Sequence, residues 1–344
     1  MIRLLVIAAV LCPPPLAAQA IRGRVLAGAD GAPVVGAFVS LLDGGGEVAA
    51  SFLTDEAGSF RVRGRSAGPH TLRVRMIGFA EHTSATFELA GGETITRTLT
   101  LSTEPISLEG ITASGERVCR FDASEAVGAA ALWEEATKAL EALAWTASRE
   151  TLTYRIALSR RVSEQGTGRL IQEEADTLRS VGARPFSVGD PDSLFEHGFV
   201  LPGPGGGPVY YGPDAQMLLS PRFLETHCFR VVGGGEEIGL EFEPKPGRAV
   251  TDLEGVIWLD RHSGHLRRVE FSFEGGRAVT TGSGGEVHFR RLGDGRWIIQ
   301  RWRLRAPIVS GDPFSRRRHS PLIAFDEATG EVVEVMDRSG SPVR

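Results

Sequence analysis

Histidines, a Gly-x-Ser-x-Gly string and one glycine-rich loop are the places in this 344-residue chain where chemistry is to be sought first. A zinc hydrolase holds its metal with a His-x-x-Glu pair and a distant histidine, so that ligands converge while one coordination position stays open for water. The residues three beyond the histidines are Arg73, Ala85, Val200, Arg230, His265, Arg268, Arg291 and Leu322. None is glutamate, so that pattern is absent. His262-Ser263-Gly264-His265 offers two imidazoles, but it follows Leu259-Asp260-Arg261 and precedes Leu266, the composition of a solvated glycine hairpin between apolar strands. Gly64-Arg65-Ser66-Ala67-Gly68 spells a nucleophile elbow, a device that needs a strand before the serine and a helix after it; here Pro69 and a further strand follow. Gly203 to Gly207 lacks the lysine and hydroxyl of a phosphate loop. A hydrolase would have to use scattered pairs such as Asp190 with His197, and no catalytic residue, cofactor or metal is expected.

The first twenty residues read as an export signal. Arg3 precedes the apolar run Leu4 to Leu11, Pro13-Pro14-Pro15 breaks it, and Ala18-Gln19-Ala20 places small residues where signal peptidase cuts. Cys12 follows Leu11, where lipidation wants a small residue. No later run approaches the roughly 20 apolar residues that span a bilayer. The expected location is the periplasm or outer-membrane periphery of a bacterium. If Cys12 leaves with the signal, Cys119 and Cys228 remain; an even pair in an oxidising compartment reads as one disulfide, the alternative being two unrelated buried thiols. A net charge of −5 without a long basic run argues against nucleic acid as a partner. The one basic cluster, Arg316-Arg317-Arg318 beside His319, suits a solvated loop, or anionic headgroups at modest strength.

Short alternating strands cut by glycine turns fill residues 21–101: Ile21 to Ala27, Val34 to Asp43, Val48 to Thr54, Ser59 to Arg63, Thr71 to Ile77, Ser84 to Leu89 and Thr94 to Leu101. Seven short strands in about eighty residues are what an Ig-like or transthyretin-like sandwich needs. Leu72, Val74 and Met76 are expected to face the core while Arg73 and Arg75 stay in water. Gly23-Arg24-Val25, Pro33 to Val39, Thr54-Asp55 with Gly58-Ser59-Phe60, and Arg75-Met76-Ile77-Gly78-Phe79 resemble the carboxypeptidase regulatory-like domain along the whole of this stretch. The resemblance implies an accessory sandwich at the front of secreted enzymes or outer-membrane receptors, with carbohydrate-binding relatives in the superfamily. Phe79 and Phe87 are the aromatic residues available for a glycan platform.

Residues 102–118 read as a linker; Leu108 to Arg117 looks like the segment joining this module to the plug of TonB-dependent receptors, whose barrel would need several hundred further residues. An α+β domain is expected over 119–344. Asp122 and Glu125 form a capping-box-like start for one long helix, with Ala129, Leu132, Trp133, Ala136, Leu140, Leu143 and Ala147 along an apolar stripe and Trp145 on the polar side. A short turn of helix at Pro221 to Thr226 would carry Cys228 toward Cys119. Antiparallel strands follow to Met336, giving a curved sheet about the helix, distantly like periplasmic lipoprotein carriers. Tyr210, Tyr211, Trp258, Trp297 and Trp302 are candidates to line a cavity in it.

The expected molecule is therefore mainly β, a sandwich followed by one long helix and a curved antiparallel sheet. It reads as a non-enzymatic exported protein of the cell envelope that binds or docks, its partner an envelope protein, a glycan or a hydrophobic ligand. The alternatives are a periplasmic carrier of a hydrophobic ligand, carbohydrate binding by the sandwich, and an uncharacterised hydrolase.

Overall fold

The computed structural model describes residues 19–102, 111, 117–120, 126–276, 281–310, 314 and 321–344. The expected export signal through residue 18 with Cys12, most of the expected 102–118 linker, the expected capping residues Asp122 and Glu125, and Arg316-Arg317-Arg318 with His319 lie outside the described residues.

Two sheets make the sandwich. One has the order β4-β1-β8, with β1 (Ala20–Ala27) antiparallel to β4 (Ser59–Arg63) and parallel to β8 (Thr94–Leu101). The other has β3 (Val48–Leu53), β2 (Phe38–Asp43), β5 (Gly68–Arg75) and β6 (His82–Thr83) in that order, with β7 (Phe87–Leu89) also on β5. Ile21, Val39, Leu41, Phe60, Leu72 and Val74 pack between them. The motif residues explain themselves physically. Gly23 lies under the Phe60 ring and against the Arg97 carbonyl, where a Cβ would stand 2.6 and 2.1 Å away. Asp55 Oδ1 accepts the N–H groups of Ala57 and Ser59, closing the turn that Gly58 completes at φ +67°.

The second half is one nine-stranded antiparallel sheet, order β10-β9-β19-β18-β17-β16-β15-β14-β13. Its strands are β9 (Leu152–Glu164), β10 (Leu170–Ser180), β13 (His227–Gly234), β14 (Glu237–Pro244), β15 (Asp252–Asp260), β16 (Leu266–Glu274), β17 (Gly284–Arg291), β18 (Trp297–Val309) and β19 (Leu322–Asp337). Helix α1 (Val127–Arg149) crosses one face, burying Leu132, Ala136, Leu140 and Leu143. Three short helices, α2 (Pro191–His197), α3 (Ala215–Leu219) and α4 (Pro221–Thr226), are capped by the side chains of Asp190, Asp214 and Ser220. A small hairpin of β11 (Val200–Pro202) and β12 (Pro208–Tyr210) lies between α2 and α3. The expected long helix is α1 and the expected turn of helix at Pro221 to Thr226 is α4; α2 and α3 are additions to the sequence reading.

The two flanks of the large sheet differ. Beside β13, Val118 and Phe229 exchange backbone hydrogen bonds of 2.7 Å, and Cys119 is disulfide-bonded to Cys228. At the other flank β10 pairs only with β9 among the described residues. Nearly all of its residues are exposed.

The sandwich sits on the polar side of α1. Trp145 packs edge-on against Phe52 and donates to the Ser51 carbonyl. Gly78 N–H donates to Glu135 Oε2, and Lys138 Nζ donates to the Phe79 carbonyl and, at 2.6 Å, to Glu135 Oε1. Glu135 and Lys138 are both buried. Arg75 corrects the sequence reading: its guanidinium is paired with Glu141 and donates to Thr137 on α1, because this face of the sandwich is covered by the helix and not by water. Farther along, Gly36 and Gly295 meet backbone to backbone, both at positive φ; a Cβ on either would lie within 2.6 Å of the other's Cα.

Candidate functional site

Strand alternation and register decide what the large sheet presents on the face away from α1. Glu241, Val256, Glu270, Glu286 and Arg303 are successive cross-strand partners from β14 to β18. Two residues along, Glu254, Ser272, Gly284 and Arg305 form the next row. Residues directly opposite in antiparallel strands share a face, so both rows line one groove of about 570 Å³, banked by Glu243 on one side and Arg303 and Arg305 on the other. Its floor is low because Gly284, at φ +153°, has no side chain where a Cβ would meet the Phe271 carbonyl at 2.3 Å.

The carboxylates of this groove are unequally compensated. Glu241 pairs with Arg230, and Glu243 with Arg117; Glu270 pairs with Arg268 at 2.6 Å, and Glu286 with His288 at 3.1 Å. Glu254 has no cationic partner among the described residues and accepts a hydrogen bond from Ser272 Oγ at 3.0 Å. Burial pushes its carboxyl above the usual range, and the charges of Glu274, Glu243 and Glu241 push the same way against the Ser272 hydrogen bond. Glu286 goes the other way: burial raises it, but the hydrogen bond from His288 and the charges of His288, Arg303 and Arg301 outweigh that and hold it low. The arrangement suits binding of a positively charged or hydroxyl-rich group at Glu254.

The five aromatic residues expected to line one cavity do not meet there. Trp302 is the partner of Val287, which continues through Val269 and Ile257 to Leu240, the core side. Trp258 is the partner of Arg268 and lies on the groove side with the Arg268 guanidinium over its ring at 5.0 Å. Trp302 fills the space over Gly330, where a Cβ would meet its ring at 2.1 Å. Trp297 stands edge-on to His265, and Tyr210 edge-on to Phe273 in the core; Tyr211 is half-buried against that core. Phe79 and Phe87 are partly buried against the sandwich core.

The residues weighed for catalysis do not assemble either. Asp190 caps the start of α2, accepting from Ser193 N–H at 2.9 Å, while His197 is in the last turn, its Nδ1 3.0 Å from the Ser193 carbonyl. Asp260 closes the 262–265 turn, accepting from the N–H groups of His262 and Ser263. The 64–68 string connects strand β4 to strand β5, with no helix after the serine. Gly203 and Gly207 close the β11–β12 hairpin. His227 and Asp252 approach to 3.4 Å, but both are closed off from solvent, and the ring nitrogens of His227 lie within hydrogen-bonding distance of the Leu253 and Phe223 carbonyls. Among the described residues no group of three or more His, Cys, Asp or Glu side chains is placed to hold a metal ion, and no helix is long and apolar enough to cross a membrane.

Residues 20–102 match the family model of the carboxypeptidase regulatory-like domain. That match covers the sandwich alone. No curated protein matches the chain. Among solved structures, the minor pilin GBS52 of Streptococcus agalactiae is similar at 15% identity and a TM-score of 0.22, over 29% of this chain and 49% of that one. The chain therefore spans about half the length of that pilin. A putative carbohydrate binding protein from Bacteroides uniformis is similar at 10% identity and 0.21, over 70% and 98% of the two chains. The major pilin subunit BcpA of Bacillus cereus follows at 9% and 0.23, over 95% and 91%. Scores this low carry no argument about ligand or assembly.

Proposed function

We propose that this chain is a non-enzymatic, exported binding protein of the bacterial cell envelope, at the periplasm or outer-membrane periphery. It divides into an export signal at 1–20, the regulatory-like sandwich at 21–101, a linker at 102–118 and an α+β docking unit at 119–344. The groove on the open face of the large sheet is the docking site, and its partner is an envelope component that brings a cationic or hydroxyl-bearing group to Glu254. The observation that carries this reading is the uncompensated Glu254 carboxylate on a glycine-floored groove between glutamate and arginine banks. The regulatory-like sandwich supports a binding role, since in its family that module is an accessory and not the catalytic part.

The test is a photo-activatable side chain at Ser272 in cells making the full chain. A discrete adduct that disappears in a Glu254→Arg background supports the reading, as does recovery of the chain in the osmotic-shock fraction with 1–20 removed by intact mass. No adduct at Ser272, or retention of the chain in the cytoplasm, overturns it.

A further inference from the structure

On the other side of the same sheet, a second pocket of about 360 Å³ opens beside the C-terminal end of α1. Its size is at the lower end of the range of small-molecule sites, about 300–1,000 Å³. Leu143, Tyr154, Phe186, Trp297 and Ile299 are among its lining residues, and the wall is more apolar than polar. The 181–188 loop forms one side and is anchored there: the Phe186 ring sits over Gly212, where a Cβ would meet it at 2.4 Å, and stands edge-on to Phe271 at 5.3 Å. Val181 and Val188 on that loop are more than half exposed at the mouth.

Polar groups in this pocket are few and unevenly charged. Asp214 lies on its wall, half-buried, one oxygen accepting the Met217 N–H at 2.8 Å as the cap of α3. No arginine or lysine among the described residues pairs with it; burial pushes its carboxyl up, and only backbone hydrogen bonds from Met217 and Gln216 oppose that. Glu150 adds a second negative charge, and Arg184, exposed on the loop, is the cation of the lining. Tyr154 presents a protonated phenol, as an ordinary tyrosine does at neutral pH, and burial pushes it up further to about 12. An aromatic-walled cavity holding a carboxylate without a counter-ion suits a ligand that is apolar along its body and cationic at one end.

We propose that this pocket binds small hydrophobic amines, the body against Tyr154, Phe186 and Trp297 and the ammonium against Asp214. The site is independent of the groove, which lies on the opposite face of the sheet. N-phenyl-1-naphthylamine, an uncharged dye that brightens in apolar surroundings, is the probe, and octylamine, octanol and octanoate are its competitors, used on the full chain. The expected result is saturable brightening at one dye per chain, with octylamine displacing the dye at about tenfold lower concentration than octanoate. Asp214→Asn, which keeps the helix cap, is expected to retain dye binding and to bring octylamine level with octanol. Ala144→Phe and Ser187→Trp fill the pocket from the helix and from the exposed loop, and each is expected to abolish the brightening while the unfolding midpoint shows a folded chain. Absence of saturable dye binding, binding that survives both filling variants, or octanoate competing as well as octylamine would overturn the proposal.

Discussion

At Thr54 one hydroxyl holds two chain segments. Its Oγ1 accepts the Ala37 N–H at 2.8 Å and donates to the Val34 carbonyl at 2.6 Å, all within the buried core of the sandwich. Thr54→Val keeps the shape and leaves a buried N–H unpaired, so a loss of about 1–3 kcal/mol is expected in urea unfolding. Asp260 is one of the carboxylates through which acid acts. Burial raises its carboxyl, but the Ser263 N–H, Arg267 and the Ser263 hydroxyl outweigh that and hold it well below the usual range. A depressed folded value means that this stabilisation is complete above the unfolded value of about 3.9 and fades as pH falls below it. Midpoints at pH 7 and pH 3 are expected to differ less in Asp260→Asn than in the parent, the variant being the weaker at pH 7.

At the level of elements, α1 is held on two sides, and its buried Lys138–Glu135 pair is where the helix is joined to Gly78 and Phe79 of the sandwich. Lys138→Met strands the Glu135 charge, with an expected cost of about 3–5 kcal/mol, and adding Glu135→Gln is expected to recover part of it, read in a double-mutant cycle. The Cys119–Cys228 bond spans 109 residues. Its removal by Cys228→Ser is expected to cost about 4–5 kcal/mol in the same assay, the value for a closed loop on the order of 100 residues. Elements with local signals were legible: glycine turns marked the sandwich strands, and the stripe from Ala129 to Ala147 marked α1. Strand β13 was missed although Phe229-Arg230-Val231-Val232 has strand composition; the run is short and ends at Gly233-Gly234-Gly235, and its partners are Val118 and β14. Helices α2 and α3 were missed because five to seven residues carry too little periodicity, although Asp190 and Asp214 are recognisable caps. The groove depended on non-local register. Bulges near Trp258 and His288 determine which side chains of distant strands share a face, and no local pattern reports them. The same parity separates Trp258 from Trp302.

Across the whole molecule, Leu53 and Ile77 of the sandwich lie in the same core cluster as α1 and the large sheet. Arg291 of β17 reaches back to the Val35 carbonyl. A chain joined in this way is expected to unfold in one calorimetric transition, with matching calorimetric and van't Hoff enthalpies; Ile77→Asp is expected to split it into two. Gly36 of the sandwich and Gly295 of the β17–β18 turn meet where neither residue carries anything beyond a hydrogen. Two bare main chains in contact act as a caliper, because the gap they set has no side chain that can rotate to absorb an error. One methyl at either position would wedge this seam apart, and the displacement would be levered along the sandwich to its far end. The mutual aim of the two halves is therefore written in what these two residues lack.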